Sequence, residues 1–318
     1  VYGVLAGLEV IRTLNDLNVK TKHPIEASIW TNEEGSRFAP AMVASGVFAG
    51  EFTLEYGLSR KDEDGKTMGE ELERIGYAGE DEVGGRPVHA FFEVHIEQGP
   101  ILEEEGTTIG VVTDAQGQRW YEMTLTGVES HAGPTPMNRR KDALLGAARI
   151  IQLVNQVGLD NAPLACATVG MVNVSPNSRN VIPGSVFLTI DFRHPDDEVL
   201  KGMDAAMREG VAKIVEEIGL GCELEQIFYY APIAFDASCV DAVRASAVDC
   251  DYSVRDIVAG AGHDACYLSK VAPASMVFVP CIDGISHNEV EDAKPEWITA
   301  GANVLLGAMV SRAVRESS

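Results

Sequence analysis

The sequence predicts an α/β protein: one α/β domain interrupted by a small inserted α+β domain. Three observations predict it. Helical and strand-like stretches alternate through the first third of the chain, as in sheets with parallel pairs. Between about Gly117 and Tyr230 the order changes to β-α-β-β-α-β, that of a compact ferredoxin-like unit. From about Ala231 the helix–strand alternation returns and closes in a helix. The expected boundaries are therefore residues 1–117 and 231–318 for the α/β domain and 118–230 for the insert.

The elements follow from periodicity. Val4, Leu8, Ile11, Leu14 and Leu17 recur at helical spacing and predict a helix over about 3–18. Ile25–Trp30 alternates like a strand, and Thr31–Gly35 after it reads as a loop. A short helical stretch is expected near Pro40–Val47 and a weaker one around Gly69–Ile75. Phe91–His95 and Ile109–Val112 read as strands. In the insert, Trp120–Thr126 alternates as a strand, and Leu144, Ala148, Ile151 and Val154 mark one face of a helix over Lys141–Val157. Ala165–Val174 and Ser185–Arg193 are two further strands. Leu200, Met203, Met207, Val211, Ile214 and Ile218 form a long helical stripe, and Cys222–Tyr230 is the closing strand. The apolar run Met276–Val279 predicts a buried strand, and the last helix begins at Pro295.

Composition narrows the function classes. The 318 residues suit two domains. With 25 Lys+Arg against 48 Asp+Glu the net charge is −23, which argues against nucleic acid or an anionic membrane surface as partner. No apolar run approaching the ~20 residues of a membrane span is apparent. The six cysteines form no CxxC pair and read as reduced thiols of a cytoplasmic protein. The chain opens directly in a helical pattern, at Val rather than Met, which reads as a chain cut in mid-fold.

Three short motifs lie where strands are expected to end, and each offers metal ligands. Asn32-Glu33-Glu34-Gly35 puts two carboxylates on a loop, where one suits a metal and the other a general base. His95-Ile96-Glu97-Gln98-Gly99 follows an apolar strand, and Gly284-Ile285-Ser286-His287-Asn288-Glu289 follows another. Each motif is weak alone. Together they place Glu and His after three strands of one sheet, which is how carboxylate/imidazole metal sites are assembled. The insert adds His131 in a Gly-flanked loop, Asn180, and Arg193, whose planar fork suits a carboxylate or simply pairs with Asp191.

These motifs, with Ser130–Met137, Arg179–Gly184 and Gly260–Ala265, closely resemble the hydantoinase/carbamoylase amidases in order along the whole chain. That family includes N-carbamoyl-L-amino-acid hydrolases, β-ureidopropionases and allantoate amidohydrolases, within the aminoacylase/carboxypeptidase superfamily of dinuclear metallohydrolases. The resemblance implies a mixed-sheet catalytic domain with an inserted lid and dimerisation domain. It implies Glu33 as general base and two divalent ions, Zn or Mn, Co or Ni. His95 would serve one ion, Glu34 and His287 the other. Gln98 would contact the ureido end of the substrate, Asn180 and Arg193 would clamp its carboxylate, and His131 would reach the partner subunit's site of a homodimer as oxyanion donor. The Gly260–Ala265 loop carries no assigned role.

The same resemblance places a His-x-Asp motif and a bridging Asp upstream of Val1. If these 318 residues were the whole polypeptide, weak metal binding and little activity would follow; the expectation is a longer natural protein. The expected reaction is hydrolysis of an N-carbamoyl amino acid to the amino acid, ammonia and carbon dioxide. Two readings stay open beside it: an allantoate hydrolase, aminoacylase or dipeptidase of the same superfamily, and a non-catalytic dimeric member lacking a complete metal site.

Overall fold

The computed structural model describes residues 1–314 of the 318. The chain divides into two compact units, Val1–Ala115 with Ala234–Ser318, and Gln116–Ile233.

The first unit is built on a mixed sheet. Strand Phe91–Ile96 pairs in parallel with Ala274–Val279, which pairs antiparallel with Ile109–Ala115, which in turn pairs in parallel with Val254–Ala259. Every residue of Ala274–Val279 is buried, so the apolar run reads as a strand covered on both faces. Helix Pro295–Val314 packs against Ala274–Val279 and against helices Tyr2–Asp16 and Ala237–Asp249. It is long and apolar enough to cross a membrane by composition, although polar residues interrupt its apolar run, and it buries Ala300, Val304, Leu305 and Ala308 within this unit.

The first helix exists, but its inward face is not the expected one. Ala6, Val10 and Leu14 are buried, whereas Leu8 is 49% and Leu17 67% exposed. Tyr2 donates to the Ile298 carbonyl at 2.8 Å and fixes the helix by its small-residue side. Ile25–Trp30 is not a strand. Its burial partly alternates, but no neighbouring strand hydrogen-bonds to it among the described residues, and period-two patterning without a ladder leaves only an extended segment. Helix Met68–Ile75 is anchored by a capping box between Thr67 and Glu70.

The second unit is a four-stranded antiparallel sheet in the order Cys166–Ser175, Ser185–His194, Gly117–Thr126, Gly221–Tyr230. Helices Ala143–Asp160 and Asp197–Ile218 connect the strands, giving the β-α-β-β-α-β order. Strict alternation along Ser185–His194 turns Val186, Leu188, Ile190 and Phe192 into the core. Leu200, Met203, Met207, Val211 and Ile214 face it, as the stripe predicts. The first helix is rotated from expectation: Ala143, Ala147, Ile150 and Val154 are buried, and Leu144 and Ile151 are exposed. At Gly127 any side chain would run into the Lys141 carbonyl, which holds the turn before that helix close to the sheet end.

Candidate active site

Of the carboxylates and imidazoles singled out in the sequence, Glu33, Glu34, His95 and His287 lie in the first unit. Asn32 adopts a left-handed backbone, φ 60°, and its side chain bonds both ways with the Phe38 backbone, donating at 2.6 Å and accepting at 3.3 Å. The Glu33 carbonyl accepts from Met42 N at 2.7 Å. This stiff turn sets adjacent Glu33 and Glu34 in different surroundings. Glu33 is half-buried, and burial, then the charges of Glu34 and Glu93, raise its pKa against the opposing pull of His263 and His287. Glu34 is exposed, and its Oε2 lies 3.6 Å from Nε2 of His287. His287 also adopts a left-handed backbone, φ 54°, as does Gln98, φ 59°. Each of the three expected motifs thus contains one non-glycine residue in a conformation that side chains seldom adopt, the kind of local strain that gathers at functional sites.

His95 sits on the edge strand, and its Nδ1 donates to the Ile96 carbonyl 2.8 Å away, which fixes the ring. Burial, then the charge of His263, lowers its pKa. Gln98 Nε2 donates to Ser286 Oγ at 2.8 Å, tying two of the motifs together. Glu97 of the same motif has a structural task. It is buried and accepts from Ile101 N and Leu102 N, starting the short helix Ile101–Glu105.

The structure adds a group that the sequence reading left without a role. Glu93 lies two residues before His95, hence on the same face of the strand. Its Oε2 accepts from Ala265 N at 2.8 Å, and its Oε1 lies 3.5 Å from Nδ1 of His263. Burial opposes its ionisation, but the His263 bond and the charges of His263 and His95 prevail and lower its pKa. The His263 ring packs edge-on to His95, centroids 4.8 Å apart, and to Phe278 at 5.6 Å. Beside it, Asp264 is buried against the Ser45 hydroxyl, and burial with the Glu93 charge pushes its pKa up to about 8. The available signal was a lone carboxylate inside the apolar run Phe91-Phe92-Glu93-Val94.

The residues expected to handle substrate in the insert lie in the second unit. His131 is exposed on a two-residue strand paired with Val181–Ile182, and Ala132 N donates to the Asn180 carbonyl at 2.8 Å. His131 and Asn180 are therefore brought together. Arg193 is the last residue but one of the strand Ser185–His194, and its guanidinium forks onto Asp191 at 2.8 Å and 3.0 Å.

The donor set meets a metal only in part. The 3.6 Å between Glu34 and His287 is close to the roughly 3.4 Å separating two ligands on a tetrahedral ion with bonds of about 2.0–2.2 Å. His95 lies beside His263 instead. Among the described residues, no three His, Cys, Asp or Glu side chains converge closely enough to hold an ion. The residues present do not by themselves close a metal cage. One premise of the sequence reading also falls: Glu33 and Glu34 follow an extended segment rather than a strand of the sheet.

The chain as a whole is similar to known proteins. Residues 1–311 match the model of peptidase family M20/M25/M40. The chain is similar to an N-carbamoyl-L-amino-acid amidohydrolase of Rhizobium meliloti, with 54% identity over 313 residues, 98% of this chain and 75% of the relative. An allantoate amidohydrolase of Bacillus subtilis is 34% identical over 309 residues, covering 96% and 74% of the two chains. Among solved structures, a hydantoinase/carbamoylase family amidase from Burkholderia multivorans superposes with a TM-score of 0.96 at 74% identity, covering 99% of this chain and 77% of that one.

Proposed function

The chain belongs to peptidase family M20/M25/M40, and from that premise we propose that it hydrolyses the ureido C–N bond of N-carbamoyl-L-amino acids. It is an amidohydrolase acting on carbon–nitrogen bonds other than peptide bonds. The observation that carries the chemistry is Glu33, a half-buried carboxyl of raised pKa between two other carboxylates and two imidazoles. A raised carboxyl pKa brings a base nearer to working pH, which suits proton transfer. The identity of the substrate rests on the relatives.

Glu33 takes a proton from the attacking water as its oxygen bonds to the ureido carbon, and returns that proton to the departing α-nitrogen. The C–N bond breaks, releasing the amino acid and carbamic acid, which decomposes to ammonia and carbon dioxide. His131 donates to the oxyanion, and Asn180 and Arg193 receive the substrate carboxylate, Arg193 exchanging its fork on Asp191 for the ligand. Gln98 contacts the ureido end from its tether on Ser286. The proposal includes a homodimer through the second unit, with His131 serving the partner subunit's site, and a cytoplasmic setting, which the exposed thiols of Cys166, Cys222 and Cys250 suit.

Family membership supports a divalent-metal requirement. The proposed complement is two ions, zinc, manganese, cobalt or nickel, with Glu34, His95 and His287 among the donors. Among the described residues these donors do not by themselves complete a cage.

The test is ammonia release from N-carbamoyl-L-amino acids, N-carbamoyl-β-alanine, allantoate and ureidoglycolate, with metal content measured per chain. The expected result is the highest kcat/KM on an N-carbamoyl-L-amino acid. A preference for allantoate or ureidoglycolate moves the chain to those relatives' reactions. Release from none of the four overturns the proposal.

A further inference from the structure

His263 carries an unmet polar atom. The residue is 3% exposed, yet its Nε2 has no hydrogen-bond partner. A buried polar atom left unpaired is destabilising, so native structures seldom keep one that meets nothing in the working state. The rest of the residue is held. Glu93 faces Nδ1, the backbone two residues on is bonded to the same carboxylate through Ala265 N, and Asp264 is bonded to Ser45. His95 and Phe278 flank the ring edge-on. The ring lies within electrostatic reach of Glu33.

Resting on the ureido-hydrolase reading above, we propose that His263 determines specificity for the ureido group, its Nε2 accepting a hydrogen bond from a ureido N–H, with Glu93 as the positioning residue. The chemistry follows from the tautomer. A carboxylate facing Nδ1 draws the ring proton there, so in the neutral imidazole Nε2 keeps its lone pair and is an acceptor. A carbamoyl group ends in NH2 and supplies donors. An acetyl group of the same shape ends in CH3 and supplies none, so it leaves Nε2 buried and unpaired. A site that loses a hydrogen bond in this way rejects the analogue more strongly than one that merely loses contact area.

Two variants separate the roles of the ring atoms. In His263→Asn the amide reaches about as far as Nδ1 and keeps the link to Glu93, but nothing replaces Nε2. In His263→Gln the amide oxygen reaches about as far as Nε2. Steady-state kinetics on an N-carbamoyl-L-amino acid are compared with the matched N-acetyl-L-amino acid, read as KM if it is a substrate and as competitive Ki if it is not. The expected result for His263→Asn is a ten- to hundredfold fall in kcat/KM on the carbamoyl substrate, with the acetyl constant within threefold of wild type. His263→Gln recovers most of the loss, and Glu93→Gln weakens the same discrimination. Bound metal per chain is unchanged in all three. Equal losses on both ligands, no loss at all, no difference between Asn and Gln, or a loss of metal in His263→Asn each overturns the proposal. A wild-type chain inactive on every ureido substrate overturns the parent reading instead. A thermal melt of each variant identifies any that fails to fold, and the remaining variants then decide.

Discussion

Glu33 and Glu34 are neighbours in sequence with unlike environments, and the difference makes one a base. Glu33→Gln keeps shape and hydrogen bonding but removes the proton acceptor. The expected outcome is a fall in kcat of at least about a hundredfold with the melting temperature within a degree or so of wild type, since general-base catalysis contributes 10²–10⁴-fold. Retained turnover in a steady-state assay would remove Glu33 from the chemistry. Asp264 gives a second test at this scale. Its pKa is about 8 in the folded chain against an ordinary value of 3.8. Between those values the folded state holds a proton that the unfolded state lacks, so this group lowers stability with each rise in pH and has no further effect above about 8. Asp264→Asn keeps a partner for Ser45 and cannot ionise. In metal-free protein, its melting temperature relative to wild type should climb from pH 5 to pH 8 and then level off; parallel curves would sink the assignment. Of this cluster, Glu33, Glu34, His95 and His287 were legible in the sequence because their motifs are contiguous. Glu93, Asp264 and Ser45 were not, because their meeting depends on tertiary contacts across more than two hundred positions for Ser45 and Asp264.

At the scale of elements, periodicity located helices well and their faces poorly. The long stripe on Asp197–Ile218 was read correctly because large residues alone fill it. In Ala143–Asp160 the buried face is rich in alanine and glycine, and in Tyr2–Asp16 Gly3 and Gly7 stand where Val94 and Ala27 approach, so the largest side chains point off the buried face. Close packing selects the small residues where a helix must approach its neighbour, and that need is set by the neighbour. Ile25–Trp30 failed for the complementary reason: a strand is defined by its partner, which its own residues do not reveal. Ends are more local. Asp142 accepts from Leu144 N and Leu145 N at 3.0 and 3.1 Å and caps Ala143–Asp160. Asp142→Ala should cost about 1 kcal/mol, read as a shifted denaturation midpoint at unchanged slope, because it frees two amide donors at the start of a helix that carries the second unit's core. A shift below a few tenths would mean that water replaces the cap.

At the scale of the whole chain, charge is the dominant unbalanced quantity. If every one of the 25 basic residues neutralised one of the 48 acids, 48 − 25 = 23 acids would still repel one another. The ion pairs that salt weakens are mostly exposed, such as Arg12–Glu9 and Lys213–Glu209, and pairs of that kind contribute about 0–1 kcal/mol each. The repulsion acts over longer distances. At 0.01 M salt the screening length is about 30 Å, enough to couple acids across a whole unit, and at 0.1 M it is about 10 Å. Salt therefore removes more repulsion than attraction, because like-charged pairs outnumber opposite-charged ones in a chain of 48 acids and 25 bases. The melting temperature should rise by several degrees between 10 and 300 mM sodium chloride at pH 7.5, with most of the gain below 100 mM. The gain should shrink toward pH 5, as part of the acidic charge is neutralised. A melting temperature that falls with salt would mean that local ion pairs outweigh the net charge, and the acidity would then have to be explained by what the surface binds.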